Sequence, residues 1–237
     1  MAESCDRPPT DPVRARVRAL ATEALAAGAP TVWFETLYRE AAGDPSRIPW
    51  ADLAPNAALS AWVARPGALA GCRTAAVVGC GLGHDAELLA AKGLDVLAFD
   101  VSPAAIDWAR RMHPATRVRY EVGDLFALPG AWVGRFDLVV EIYTLQALPQ
   151  RVRGEAAKAI VGLVSPAGRL FVFTRVRDDG AAAPPFCEKS SGPPWPLGRA
   201  EVRRLAAPLV EADAFVEVPD AVDPTLVRAH GSFAHRA

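Results

Sequence analysis

The stretch Thr74–Asp100 constrains the fold more than any other part of the chain. Its sequence, TAAVVGCGLGHDAELLAAKGLDVLAFD, predicts strand, glycine loop, helix and strand, ending in an acid. Thr74–Val78 is apolar and partly β-branched, the composition of a parallel strand buried on both faces. Gly79, Gly81 and Gly83 follow at alternate positions. A loop without Cβ atoms accepts positive φ and lets backbone approach a ligand closely. His84–Lys92 has helical character, with Gly93 placed to end it. Leu94–Phe99 predicts a second buried strand. Asp100 at its carboxyl end is placed to accept both hydroxyls of a ribose.

The glycine spacing selects among nucleotides. Dinucleotide sites use G-x-G-x-x-G, with a helix N-terminus aimed at pyrophosphate. Here the spacing is G-x-G-x-G, followed by His84 and Asp85. Asp85 suits a helix start, opposes a pyrophosphate, and tolerates a ligand whose amino acid end carries an ammonium. S-adenosylmethionine has adenosine, a sulfonium and an amino acid tail, and no phosphate, so the loop favours it over NAD. A ligand-free glycine turn is the bland alternative. The strand before, the helix after and the acid at the next strand end argue against it.

A chain of 237 residues suits one α/β domain with an added segment. The formal net charge of -1 does not favour nucleic acid or an anionic membrane surface as partner. Cys5, Cys72, Cys80 and Cys187 have neither metal-site spacing nor a disulfide framework, so a reducing, cytoplasmic setting is expected. No signal peptide or membrane-length apolar run is visible.

Before the first strand, helices are expected over Pro12–Ala27, Thr31–Ala42 and Pro55–Arg65, joined by a turn-rich segment containing Trp50. This predicts a division into residues 1–70, a helical lid, and 71–237, the nucleotide-binding domain. Trp33 and Trp50 are candidate lid residues over the cofactor, whereas Trp62 reads as core. After Asp100 and Val101, Ser102 is an N-cap with Pro103 at the first helical position. A third strand, Arg117–Val122, runs into Asp124, Leu125 and Phe126. There an acid can accept from an adenine amino group while an apolar side chain covers the ring. The fourth strand, Phe136–Ile142, contains Glu141 and leads to Tyr143 and Gln146, which are expected near the reacting centre because open α/β sheets bind ligands at strand carboxyl ends. A helix over Gln150–Val164, a turn at Ser165–Gly168 and a fifth strand over Arg169–Arg175 follow. The proline-rich segment Val176–Gly198, with Phe186 and Trp195, is long enough to serve as a lid or substrate wall. A helix over Arg199–Leu209 and strands near Ala214–Val218 and Val227–Ala234 complete a seven-stranded mixed sheet with helices on both faces.

These motifs resemble the class I S-adenosylmethionine-dependent methyltransferases, and within them the thiopurine methyltransferase-like group that includes bacterial halide and thiol methyltransferases. The matching pieces are Ile48-Pro49-Trp50 with Asp52, Val78–Asp85, Phe99–Ser102, Gly123–Phe126, Phe136–Leu138 continuing through Tyr143–Pro149, and Gly192–Trp195. Three positions depart from that pattern: Ala51 precedes Asp52, Glu141 stands for an aspartate, and Trp195 for a phenylalanine. The resemblance implies a Rossmann-like fold and methyl transfer to a small, soft nucleophile, usually a thiol or thiolate. It implies cofactor contacts from Trp33, Trp50, Gly79, Cys80, Gly81, Gly83, Asp85, Asp100, Val101, Ser102, Asp124, Leu125, Phe126 and Glu141. It implies acceptor contacts from Trp50, Tyr143, Gln146 and Trp195, with Glu141 and Tyr143 the catalytic candidates. O- or N-methylation of a natural product, or a cofactor-binding scaffold without turnover, are the alternatives. Oligomeric state is not legible, and no metal is expected.

Overall fold

The computed structural model describes residues 11–179, 193–219 and 227–236. Cys5, Cys187, Phe186, Gly192 and most of the proline-rich segment lie outside the described residues. Two helices open the chain, α1 (Pro12–Ala26) and α2 (Val32–Ala41), followed by α3 (Ala57–Val63). The side chain of Asp11 accepts from the Val13 N–H and caps α1. Thr31 makes no such bond at the start of α2. Asn56 caps α3 by accepting from the N–H groups of Ala58 and Leu59.

Alternating strands and helices then follow: β1 (Thr74–Val78), α4 (His84–Ala91), β2 (Asp95–Asp100), α5 (Pro103–Met112), β3 (Arg119–Val122) and β4 (Phe136–Ile142). After these come α6 (Thr144–Ala147), α7 (Gln150–Gly162), β5 (Val164–Arg177), β6 (Leu197–Gly198), α8 (Arg199–Ala206), β7 (Val210–Pro219) and β8 (Val227–Ala234). The strand order is β3-β2-β1-β4-β5-β8-β7, with the two-residue β6 alongside β5. The main path therefore has the expected seven strands, and β6 adds an eighth. All pairings are parallel except β5–β8 and β7–β8. β1 has β2 on one side and β4 on the other. The strand order reverses there, so the carboxyl ends of β1 and β4 open a crevice suited to a ligand.

Apolar layers cover both faces. One holds Leu59, Trp62, Leu89 and Ile106, from α3, α4 and α5; the other holds Ile160, Val161 and Val202, from α7 and α8. A third cluster joins α1 and α2 to α5 through Val17, Leu20, Trp33, Leu37 and Trp108. Trp62 is buried in the sheet layer, as expected for a core residue. Its indole N–H donates to Asp213 of β7, which also takes Arg65 and the Ser232 hydroxyl of β8.

Of the boundaries that differ from the sequence expectation, two have a visible physical cause. β3 begins at Arg119, because the Thr116 hydroxyl takes the Val118 N–H and holds that residue in a turn. Ser165–Gly168, expected as a turn, is an irregular part of β5: Phe136 pairs with Val164, and the next pair is Leu138 with Arg169. Gly168 is needed there, since a Cβ would stand 2.7 Å from the Phe136 carbonyl oxygen. Among the described residues no helix is long and apolar enough to cross a membrane, and no His/Cys/Asp/Glu group could hold a metal ion.

Candidate active site

The crevice at the β1–β4 reversal is a cleft of about 260 Å³. Its floor is the glycine loop. Gly79, Gly81 and Gly83 have φ of 59°, 51° and 87°, conformations that favour glycine. Space is also restricted: a Cβ on Gly79 would lie 2.6 Å from the Thr144 hydroxyl, one on Gly81 2.9 Å from the Tyr38 hydroxyl, and one on Gly83 would collide with the Tyr120 hydroxyl. The loop is tied to β2 by two bonds. The Cys80 N–H donates to the Phe99 carbonyl, and the Gly81 N–H donates to Asp100 Oδ2 at 3.0 Å. Asp100 Oδ1 accepts from the Ser102 N–H at 2.9 Å. Burial raises the Asp100 carboxyl to about 6, against the pull of those N–H groups. Asp85 is likewise raised to about 6 by burial, while its Oδ1 accepts from the Asn56 N–H at 2.7 Å. The Cys80 thiol is pushed up by burial and then by Asp100, so it is no thiolate at neutral pH. His84 also lines the cleft; burial and then His113 lower its pKa.

The β3 end contributes Asp124, Leu125 and Phe126. Asp124 Oδ1 accepts from the Phe126 N–H at 3.0 Å, a local turn that sets the two apolar residues against the cleft. Val101, Trp33 and Trp50 also line it. The Trp50 indole N–H donates to the Tyr38 hydroxyl at 3.0 Å. Tyr38 and Phe34 were not singled out in the sequence, although the aromatic density of Val32–Tyr38 was the available signal. Glu35 was also missed. Its Oε2 accepts from the Ser102 hydroxyl at 2.7 Å and from the Ala104 N–H at 3.0 Å, which ties α2 to the start of α5.

The opposite wall is built by β4, β5 and β8. Tyr143 has φ of 65° and its ring packs on Phe173, with centroids 5.1 Å apart. Arg228 stands 5.9 Å from the Tyr143 ring centroid. Gln146 Oε1 accepts from the Thr174 hydroxyl at 3.1 Å and the Arg175 N–H at 2.7 Å, and its carbonyl accepts from the Trp195 N–H at 2.8 Å. Tyr143, Gln146, Arg175 and Arg228 all line the cleft. Arg175 and Arg228 are cross-strand partners in the β5–β8 ladder.

Three expected site residues are not on the cleft. Ser102 is fully buried as the cap of α5, accepting from the Ala105 N–H, with its hydroxyl spent on Glu35. Trp195 is half-buried beside the cleft, and Pro193 and Pro194 form the wall instead. Glu141 is fully buried and belongs to the opposite face of the sheet, between β4 and the helices α6, α7 and α8. Strand alternation accounts for this: Val140 packs with the α3–α5 layer, so its neighbour must face the other.

The arrangement fits an adenosine-bearing cation. The cradle has no room for Cβ atoms, and the carboxylates Asp52, Asp85, Asp100 and Asp124 line the cleft. Tyr143, Arg175 and Arg228 line it from the β4–β5–β8 wall, and Arg14, Arg18 and Tyr38 from α1 and α2.

The sequence profile of the thiopurine S-methyltransferase family matches residues 44–233. A probable thiol methyltransferase 2 from Arabidopsis thaliana is 27% identical over 190 residues, 78% of each chain. Among solved structures, the fold is similar to a protein of the conversion of a disulfide bond into a thioacetal group during echinomycin biosynthesis. That match has a TM-score of 0.66 and 24% identity, covering 86% of this chain and 92% of the other. It is also similar to the 1,6-didemethyltoxoflavin-N1-methyltransferase of Burkholderia thailandensis, with a TM-score of 0.64 and 20% identity, covering 98% and 93%.

Proposed function

The chain belongs to the thiopurine S-methyltransferase family, so it is an S-adenosylmethionine-dependent methyltransferase acting on a small molecule, and we propose that the atom it methylates is the sulfur of a thiolate. The cofactor, when bound, supplies an activated methyl group on a sulfonium. In this reading the Gly79–Gly83 backbone and Asp100 hold the adenosine, Asp124 accepts from the adenine amino group, and Asp85 favours the ammonium of the amino acid tail. Of the described residues, 11–56 act as the lid, whereas α3 belongs to the sheet core.

One observation carries the choice of sulfur. Among the described residues, the wall formed by Tyr143, Gln146, Arg175 and Arg228 bears cations and a phenol but no carboxylate or imidazole. Glu141, a catalytic candidate from the sequence and a base only for O- or N-methylation, faces away from the cleft. Guanidinium groups near a thiol favour its ionised form, and a thiol of pKa about 8.5 or lower then needs no general base. What remains is to hold the nucleophile in line and exclude water, which is catalysis by positioning. The Arabidopsis relative's description as a probable thiol methyltransferase supports the same reading.

Turnover of thiols, phenols and amines by the wild type and by Tyr143→Phe tests it. Thiols should react best, with rates following the thiol's own titration, and Tyr143→Phe should lose less than about tenfold. A phenol or amine as best acceptor, with a loss of about 10²–10⁴ in the variant, would replace S-methylation by O- or N-methylation.

A further inference from the structure

The Glu141 carboxylate serves the cleft from behind. Its Oε1 accepts from the Leu145 N–H at 2.9 Å, and the neighbouring Thr144 N–H also favours the carboxylate. Both follow Tyr143, whose positive φ swings the chain out of β4. Thr144 donates its hydroxyl to the Val78 carbonyl, at the mouth of the glycine loop. One turn on, Gln146 holds the Thr174–Arg175 end of β5 and the Trp195 N–H. A single buried acid thus anchors the turn from which the whole β4–β5 wall is hung.

Its surroundings are built for one charge state at a time. Glu141 is fully buried, and Oε2 has no hydrogen-bond partner among the described residues. Glu141 lines a small void with Leu145, Ala157, Ile160, Val172 and Val202. Arg153 of α7 exerts an opposing charge; its two terminal nitrogens donate to Glu201 of α8 and the Leu148 carbonyl, and its Nε has no hydrogen-bond partner among the described residues. Glu201 is in turn shared with Arg177 of β5. Val78 and Val172, paired with Glu141 on β1 and β5, bring no charge.

We propose that Glu141 is a positioning residue: its carboxylate fixes the Tyr143–Gln146 turn, and through it the acceptor wall, so that acceptor turnover depends on it far more than cofactor binding does. This rests on the reading that the β4–β5–β8 wall receives the acceptor, whatever atom is methylated. A carboxylate holds an N–H about twice as strongly as a neutral oxygen does, so loss of the charge loosens the turn. Burial raises the Glu141 carboxyl to about 7, which brings that loss into the working range.

The test uses the best acceptor found for the wild type, so a failure of the thiolate reading leaves it intact. Glu141→Leu should lower kcat/KM for the acceptor at least tenfold at pH 8, with the affinity for S-adenosylhomocysteine within twofold of wild type. Glu141→Gln keeps an oxygen for Leu145 but not the charge, and should lose about two- to threefold at pH 8. The ratio of wild-type to Glu141→Gln kcat/KM should fall as the pH drops below 7, since only the wild type loses its charge; the acceptor's own titration cancels. A leucine variant within threefold of wild type, or one losing cofactor affinity as much as acceptor turnover, would overturn the proposal. So would a pH-independent ratio, which decides the matter if the leucine variant does not fold.

Discussion

At the residue scale, Asp100 has two tasks: it is the expected ribose acceptor, and it holds the glycine loop and α5 together through Gly81 and Ser102. Asp100→Ala therefore removes the proposed ribose contact and leaves two buried N–H groups without their acceptor. The affinity for S-adenosylhomocysteine should fall by about 1.5–3 kcal/mol, roughly 10- to 150-fold, in titration calorimetry at pH 8. An affinity within twofold of wild type would remove Asp100 from the cofactor site. Asp100, Asp124 and the glycines were legible in the sequence because their positions follow from local pattern, strand ends and a loop. Glu141 was misread, because the face it takes depends on strand alternation and on the left-handed turn at Tyr143. Arg175 and Arg228 were invisible for another reason: they meet only through the β5–β8 ladder.

At the scale of elements, strands and helices lie within a few residues of where periodicity puts them, and β4 coincides with its expected span. The exceptions are settled by side chains that sequence pattern does not report, such as the Thr116 hydroxyl before β3. The docking of α2 was not legible either, since Glu35 reaches its partner across 67 residues. That carboxylate satisfies a free N–H at the start of α5 and suits its dipole. It thereby latches α2, with Trp33 and Phe34, to the turn that carries Asp100. Glu35→Ala should release the latch and weaken S-adenosylhomocysteine binding by roughly tenfold, about 1.4 kcal/mol. The same variant should blunt the change in tryptophan fluorescence on binding. Unchanged affinity and an unchanged fluorescence response would show that α2 closes without Glu35.

At the scale of the molecule, the buried acids make stability depend on pH in an unusual direction. Asp85 and Asp100 are raised to about 6 and Glu141 to about 7. The folded state then binds more protons than the unfolded chain, so stability present at low pH is lost as pH rises through those values. His84 and His230 act oppositely: burial lowers both, and their contribution is lost as pH falls below the unfolded value near 6.5. Because the unfolded histidines are already half protonated at pH 6.5 and offset part of the acids' contribution, the ligand-free protein should gain a few tenths of a kcal/mol and less than about 1 kcal/mol between pH 8 and pH 6.5, under roughly 2–4 °C in Tm. A Tm that falls steadily from pH 8 to pH 6.5 in calorimetry would refute this balance. The bond from Trp62 to Asp213, which joins α3 to β7 across 151 residues, has a consequence for the nascent chain. Translation at about 5–20 residues per second leaves Trp62 without that partner for roughly 8–30 s after it is made. Until then its indole N–H and much of the α3 apolar face have neither Asp213 nor the completed sheet to settle on. During that interval the apolar face of α3 is a surface that a chaperone can cover.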